Sequence, residues 1–88
     1  MVEDKVPVEK RKGAIKKLLA SLHDIEQAAK SESDFKESDL THVLDCISKI
    51  KAKLSVEDVP GSKEIMATNG EIESIKHFLC YLYSEVLN

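Results

Sequence analysis

Two pairs of residues in this chain have the spacing of metal ligands on a helix. His42 and Cys46 lie four positions apart, and His77 and Cys80 lie three positions apart. Residues with these spacings share one face of a helix, and histidine and cysteine are common ligands of tetrahedral zinc. The two pairs would form one site only if the fold brought them to the same level.

The helix pairing that the sequence predicts keeps these two pairs apart. If the segments on either side of the turn at 55–61 run antiparallel, His42 lies level with residue 74 and Cys46 with residue 70. Cys80 then lies near the level of residue 36, which is ten positions, or roughly 15 Å, from Cys46. We therefore predict that one chain holds no metal site and no cofactor.

Catalytic constellations are equally hard to assemble from this sequence. A cysteine nucleophile needs a histidine base and a third group that orients the base. Cys46 and His42 share a helix face, but an interior of leucine and isoleucine leaves little room for a substrate. The three glycines are isolated from one another and do not form a phosphate-binding loop. We predict that the protein is not an enzyme.

The composition is typical of one small globular domain. Of the 88 residues, 42% are hydrophobic and 33% are charged, which is enough apolar surface to offset the entropy of ordering. No apolar run reaches the roughly 18 residues of a membrane helix, and the segment MVEDKVPVEKRK lacks a secretion-type apolar stretch. We therefore expect a cytoplasmic protein without a transmembrane segment, whose two cysteines are reduced thiols.

The hydrophobic period is helical along the whole chain, and no segment alternates with a period of two. Three helices are predicted, from Pro7 or Val8 to about Lys30, from near Asp34 to the segment SVEDVPG, and from about Ser62 to Leu87. Residues 1–7 are predicted to be a flexible tail, and residues 8–88 a single domain. The predicted fold is all-α, an up-down-up antiparallel three-helix bundle.

Each predicted helix carries an apolar seam with alternating three- and four-residue steps. The seam residues are Ile15, Leu18, Leu22, Ile25 and Ala29, then Leu40, Val43, Ile47, Ile50 and Leu54, then Ile65, Ile72, Ile75, Leu79, Leu82 and Val86. A capping box at Asp34-Phe35-Lys36-Glu37 is expected to begin the second helix. The pair Asn69-Gly70 leaves an alternative with four helices and a break there, but the common register on both sides favours one continuous helix.

The charges are expected to separate toward the two ends of the bundle. Residues 1–30 carry a net charge of +2 and residues 55–88 a net charge of −4, within a total of −3. Antiparallel pairing collects a basic patch at one end, made of Lys10, Arg11, Lys12, Lys16, Lys17, Lys49, Lys51 and Lys53, with Lys63 beside it. The opposite end is predicted to collect Glu26, Glu32, Asp34, Glu37, Asp39 and Glu85.

The last helix is apolar on more sides than a single seam requires. Three of the four aromatic residues lie in the segment HFLCYLY, and the candidate partner-binding residues there are Phe78, Tyr81, Tyr83 and Leu87. One interpretation is that these side chains close a thin core at its boundary. The other is that they form an exposed apolar patch that binds a partner or a second copy of the chain.

These patterns predict a small non-enzymatic bundle that acts by protein–protein binding through its C-terminal helix, in its simplest form as a homodimer. One alternative is an inhibitor or immunity-type protein that neutralises a toxin or bacteriocin through its acidic surface. A second alternative is nucleic-acid binding by the basic patch. The acidic pI of about 5.6 and the lack of an aromatic residue within the basic run argue against this last function.

Overall fold

The chain folds into three helices that pack side by side. The computed structural model describes residues 5–55 and 58–87, and within these ranges it contains α1 (Val8–Ser31), α2 (Glu37–Leu54) and α3 (Ser62–Leu87) and no strand. The Cα atoms extend over 51 × 20 × 18 Å. The predicted all-α three-helix bundle is confirmed. Residues 1–4 of the predicted flexible tail lie outside the described ranges.

The core consists almost entirely of the predicted seams. The buried hydrophobic residues are Ile15, Leu22, Ile25 and Ala29 of α1, Val43, Ile47, Ile50 and Leu54 of α2, and Ile65, Ile72, Ile75, Leu79 and Leu82 of α3. Leu18, Leu19 and Leu40 are half-buried against this cluster. Because every seam has the three–four spacing, one stripe of each helix faces the common axis, as in other bundles.

Helix α3 runs without interruption through Asn69-Gly70, so the alternative with four helices is wrong. No described glycine has a positive φ, and a Cβ atom added at Gly70 would meet nothing within 4 Å. Glycine costs about 1 kcal/mol relative to alanine in a helix interior. The burial of Ile72 and Ile75 in the same register outweighs that cost and keeps the helix continuous.

The predicted capping box at the start of α2 is wrong. The helix begins at Glu37, and Lys36 precedes it without a side-chain cap. The backbone N–H of Asp34 donates instead to Glu32 Oε1, at 3.2 Å. Phe35 packs against the ring of Tyr83, with centroids 5.1 Å apart, and this contact holds residues 32–36 as a connection rather than as a first helical turn.

Arg11 joins the start of α1 to the connection that precedes α3. Its guanidinium donates to the carbonyl oxygens of Val59 and Pro60, at 3.3 and 3.0 Å, and to that of Val6 at 3.0 Å. Since Pro60 is buried, these hydrogen bonds fix the level at which α3 begins beside α1. The starts of α1 and α3 therefore lie at the same end of the bundle.

None of the helices in the described ranges combines the length and the apolar composition that crossing a bilayer requires.

Candidate functional site

The three pairs of helices do not pack against each other to the same extent. Helix α1 packs more extensively against α2 and α3 than these two pack against each other. A groove of about 390 Å³ therefore remains open between α2 and α3. Its lining is His42, Val43, Cys46, Lys49, Ile50 and Lys53 from α2, and Glu71, Ser74, Ile75 and Phe78 from α3. Together with Tyr81, we call this surface the α2–α3 face.

The aromatic side chains of the α2–α3 face form a continuous row. The ring of His42 meets Phe78 edge to face, with centroids 5.5 Å apart. Phe78 in turn stacks with Tyr81 at 6.4 Å. Phe78 is half-buried against the core, while Tyr81 is 58% exposed. The groove floor thus continues into an aromatic surface that residues 5–55 and 58–87 leave partly exposed.

The four predicted partner-binding residues do not share one surface. Tyr83 packs on Phe35, and its hydroxyl lies 3.5 Å from the carbonyl oxygen of Ala28 in α1. Leu87 is 85% exposed at the end of α3. Tyr83 therefore closes the boundary of the core, whereas Phe78 and Tyr81 belong to the α2–α3 face.

Side-chain direction explains why the α2–α3 contacts differ from the predicted levels. His42 was expected to lie level with residue 74, but its ring contacts Phe78, one helical turn further along α3. In a helix each side chain leans toward the N-terminus of its own helix. In an antiparallel pair the two side chains therefore lean toward each other, and contacts shift by about one turn.

The contacts between α1 and α2 also correct the predicted separation of charge. Glu26 was expected at the acidic end and Lys51 at the basic end, yet Lys51 Nζ lies 2.5 Å from Glu26 Oε2. Lys30 also contacts this carboxylate, at 3.0 Å. The hydrogen bonds from Lys51 and then from Lys30 lower the pKa of Glu26 to about 2. The two ends of the bundle are therefore less strongly charged than the sequence predicted.

Most of the predicted basic patch is engaged within the chain. Lys49 pairs with Asp45 and Lys53 with Glu71, each at 3.0 Å, and the carboxylate of Asp45 raises the pKa of Lys49. Lys12 lies 3.9 Å from Glu9, and Arg11 donates to backbone carbonyls. Lys10, Lys16 and Lys17 are exposed on α1. A partner that binds phosphates would compete with carboxylates or carbonyls for five of the eight cations.

An acidic depression of about 380 Å³ lies where the connection between α1 and α2 meets the end of α3. Its lining is Asp34, Phe35, Lys36, Asp39, Tyr81, Leu82, Glu85 and Val86. Three of these residues are carboxylates, and Tyr81 belongs to both this depression and the α2–α3 face. The predicted acidic end is thus a concave surface with an aromatic wall.

The histidine and cysteine pairs are positioned differently from each other. Cys46 Sγ lies 3.8 Å from His42 Nε2 in the groove, whereas His77 and Cys80 are exposed on α3. Across residues 5–55 and 58–87, no group of three or more possible ligands lies close enough to hold a metal ion. The groove pair is therefore at most half of a four-ligand site.

Two features were missed in the sequence. Met66 is 73% exposed beside a depression of about 450 Å³ between α1 and α3, and its position next to the seam residue Ile65 could have indicated this. The groove itself had no sequence signal, because Val43, Ile50 and Ile75 line it and also belong to the core seams.

Comparisons of the chain with protein-family models, with curated proteins and with solved structures found no match.

Proposed function

We propose that the chain is a protein-binding bundle without catalytic activity, whose partner docks on the α2–α3 face. The observation that carries this proposal is the apolar groove that continues into the stacked pair Phe78 and Tyr81, with Tyr81 58% exposed. Partly exposed aromatic residues beside an apolar groove are typical anchors of protein interfaces. A cytoplasmic location belongs to the same proposal, since the thiols of Cys46 and Cys80 suit a reducing compartment.

The dimensions of the bundle limit how a partner would dock. A specific interface takes about 800 Å² from each protein. One long side of the bundle, 51 by 20 Å, offers roughly 1,000 Å². A partner of ordinary affinity therefore has to lie along most of the length of α2 and α3, and a short contact at Tyr81 alone is too small.

A second copy of the chain is the simplest partner of this length. Lys49 and Lys53 lie toward one end of the α2–α3 face, and Asp39 and Glu85 lie in the acidic depression at the other end. A two-fold axis across the face makes the copies antiparallel and brings Lys49 and Lys53 of each copy, which are paired with Asp45 and Glu71 of the same copy, toward Asp39 and Glu85 of the other. The same surface then lies on both sides of the contact, as a symmetric dimer interface requires.

Sedimentation equilibrium of the wild type, Tyr81→Lys and Met66→Lys tests the proposal. Both substitutions place a charge on an exposed apolar position of α3, but only Tyr81 lies on the α2–α3 face. We leave Tyr83 unchanged because it packs on Phe35. We expect a dimer for the wild type and Met66→Lys and a monomer for Tyr81→Lys. A wild type that stays monomeric at about 1 mM, where an association of about 4 kcal/mol would be visible, removes the homodimer.

The acidic depression supports a second candidate, an inhibitor or immunity-type function that neutralises a basic partner. Asp34, Asp39 and Glu85 line it, with Tyr81 as an apolar wall. A lysine-rich peptide is a suitable probe, because an electrostatic contact weakens as salt screens it. We expect binding at low ionic strength that is lost in Asp39→Asn. No binding at low ionic strength would remove this candidate.

Nucleic-acid binding by the basic patch has the least support, since five of its eight cations already have partners within the chain. The test is a mobility shift with a generic duplex at low salt, where phosphate contacts are strongest. We expect no shift, and a shift that disappears in Lys16→Gln/Lys17→Gln would restore this function.

A further inference from the structure

The His42 and Cys46 side chains have the separation of two neighbouring ligands on one metal ion. Zn–S and Zn–N bonds of about 2.3 and 2.0–2.1 Å at a tetrahedral angle place the two ligand atoms about 3.6 Å apart. Cys46 Sγ and His42 Nε2 are 3.8 Å apart without any metal. Little side-chain movement is therefore needed for both atoms to bind the same ion.

The surroundings hold this pair in place. The rings of Phe78 and His42 are in T-shaped contact, and Cys46 is half-buried against the core. Lys49 lines the same groove, but its ammonium group is paired with Asp45 at 3.0 Å, which offsets its repulsion of a cation. The pair is thus oriented before a metal ion arrives, which reduces the entropy cost of binding.

The position of the pair along the helices indicates where the other two ligands come from. Cys46 lies near the middle of α2 (Glu37–Leu54), and Ser74 and Phe78, which line the groove with it, lie near the middle of α3 (Ser62–Leu87). The two-fold axis of the antiparallel dimer proposed above crosses the α2–α3 face at its middle. The His42 and Cys46 pairs of the two copies would therefore meet at that axis.

We infer that two copies of the chain bind one zinc ion between them, with His42 and Cys46 of each copy as the four ligands. This inference rests on the proposed dimer, since one chain supplies only two ligands. Two cysteine thiolates balance the charge of Zn²⁺, and both imidazoles stay neutral. Binding releases the two thiol protons to solvent, so the apparent affinity rises with pH.

Titration with Co²⁺ under reducing conditions tests this site, because tetrahedral Co²⁺ with thiolate ligands has strong d–d and sulfur-to-metal charge-transfer absorption. We expect saturation at about 0.5 Co²⁺ per chain and displacement of the Co²⁺ by Zn²⁺. Cys46→Ser should lose the charge-transfer band and His42→Ala the tetrahedral spectrum. Cys80→Ser and His77→Ala are the matched controls on exposed α3 positions and should keep both.

Circular dichroism checks that the variants keep the helical content of the wild type, so that a lost spectrum is not a lost fold. The inference is wrong if the wild type shows no thiolate-to-cobalt band or if Cys46→Ser keeps it. It is also wrong if saturation occurs at one Co²⁺ per chain in a monomer, because solvent then completes the coordination.

Sedimentation with Co²⁺ and with a chelator separates this inference from the proposed function. If free Co²⁺ is about 100 times its dissociation constant, linkage predicts that the dimer tightens about 100-fold. A dimer that forms with chelator and binds no Co²⁺ keeps the proposed homodimer and removes the metal site. A protein that is monomeric both with Co²⁺ and with the chelator contradicts the proposed homodimer and the metal site together. A disulfide-linked dimer that forms only without reductant, with no Co²⁺ bound under reducing conditions, also removes the metal site.

Discussion

The side of the bundle that α1 covers and the α2–α3 face are built from the same kinds of residue but packed differently. In α1, Leu22 and Ala29 are completely buried between the other two helices. On the α2–α3 face, Phe78 is only half-buried and Tyr81 is 58% exposed beside an open groove. The difference indicates that the contacts of α1 stabilise the fold, while the α2–α3 face keeps part of its aromatic and apolar surface exposed.

The largest loss of stability is expected for a substitution in the buried face of α1, which packs against both other helices. Leu22→Ala removes a fully buried side chain and should destabilise the bundle by about 2–5 kcal/mol. Phe78→Ala removes a larger side chain that is only half-buried, so it should cost less than Leu22→Ala. Urea unfolding of both variants gives the comparison. An equal or larger loss for Phe78→Ala would show that the α2–α3 side is as much a part of the core as α1.

Arg11 is expected to make the next largest contribution to the stability, because it fixes α1 beside the start of α3. Arg11→Met keeps the aliphatic stem but removes the hydrogen bonds to Val59 and Pro60, at an expected cost of about 1–2 kcal/mol. Lys12→Met is the control, since Lys12 pairs with the exposed Glu9 at 3.9 Å, and it should change stability by less than about 0.5 kcal/mol. Equal unfolding midpoints for the two variants would contradict this role of Arg11.

Substitution of Gly70 should change the stability by a smaller amount and in the opposite direction, toward a more stable protein. A Cβ at this position meets nothing within 4 Å, so Gly70→Ala should stabilise the protein by about 0.5–1 kcal/mol through helix propensity alone. Gly13→Ala in α1 has the same open surroundings and should behave alike. Thermal unfolding measures both. A destabilised Gly70→Ala would mean that α3 bends at Asn69-Gly70, against the continuous helix.

The smallest change in stability is expected for the ion pair between Glu26 of α1 and Lys51 of α2, and this change depends on pH. The folded state lowers the pKa of Glu26 to about 2, from an ordinary value of 4.5, so the unfolded state takes up the proton more readily. The stabilisation by this carboxylate is therefore complete above about pH 4.5 and is lost as the pH falls toward 2.

Glu26→Gln should accordingly be less stable than the wild type near neutral pH and should approach it near pH 2. Urea midpoints at several pH values measure the difference. Glu9→Gln serves as the control, because the Glu9 side chain is 88% exposed and its contact with Lys12 is long. A constant difference between Glu26→Gln and the wild type across this range would contradict the lowered pKa.

The fold could be predicted from the sequence because it depends on one hydrophobic pattern that all three helices share. Every helix has apolar residues at three–four spacing, and the common register across Asn69-Gly70 correctly predicted one continuous α3. The start of α2 did not follow, because Phe35 packs on Tyr83 and this tertiary contact outweighs the local capping signal.

The candidate site was only partly predictable. The composition of HFLCYLY left open whether its side chains close the core or stay exposed, and the structure contains both, with Tyr83 packed against the core and Tyr81 58% exposed. Tyr83 reaches Phe35 and Tyr81 does not, and this difference depends on the path of residues 32–36. The groove depends on how closely α2 approaches α3, a distance that hydrophobic periodicity does not encode.

The most direct test of the account is to follow backbone amide chemical shifts while the wild-type protein is diluted. If a second copy docks on the α2–α3 face, shifts should change with concentration around His42, Cys46, Phe78 and Tyr81, and should stay constant around Leu22 and Ala29 in α1. Shifts that are independent of concentration throughout, or that change mainly along α1, would contradict the claim that the α2–α3 face binds a second copy.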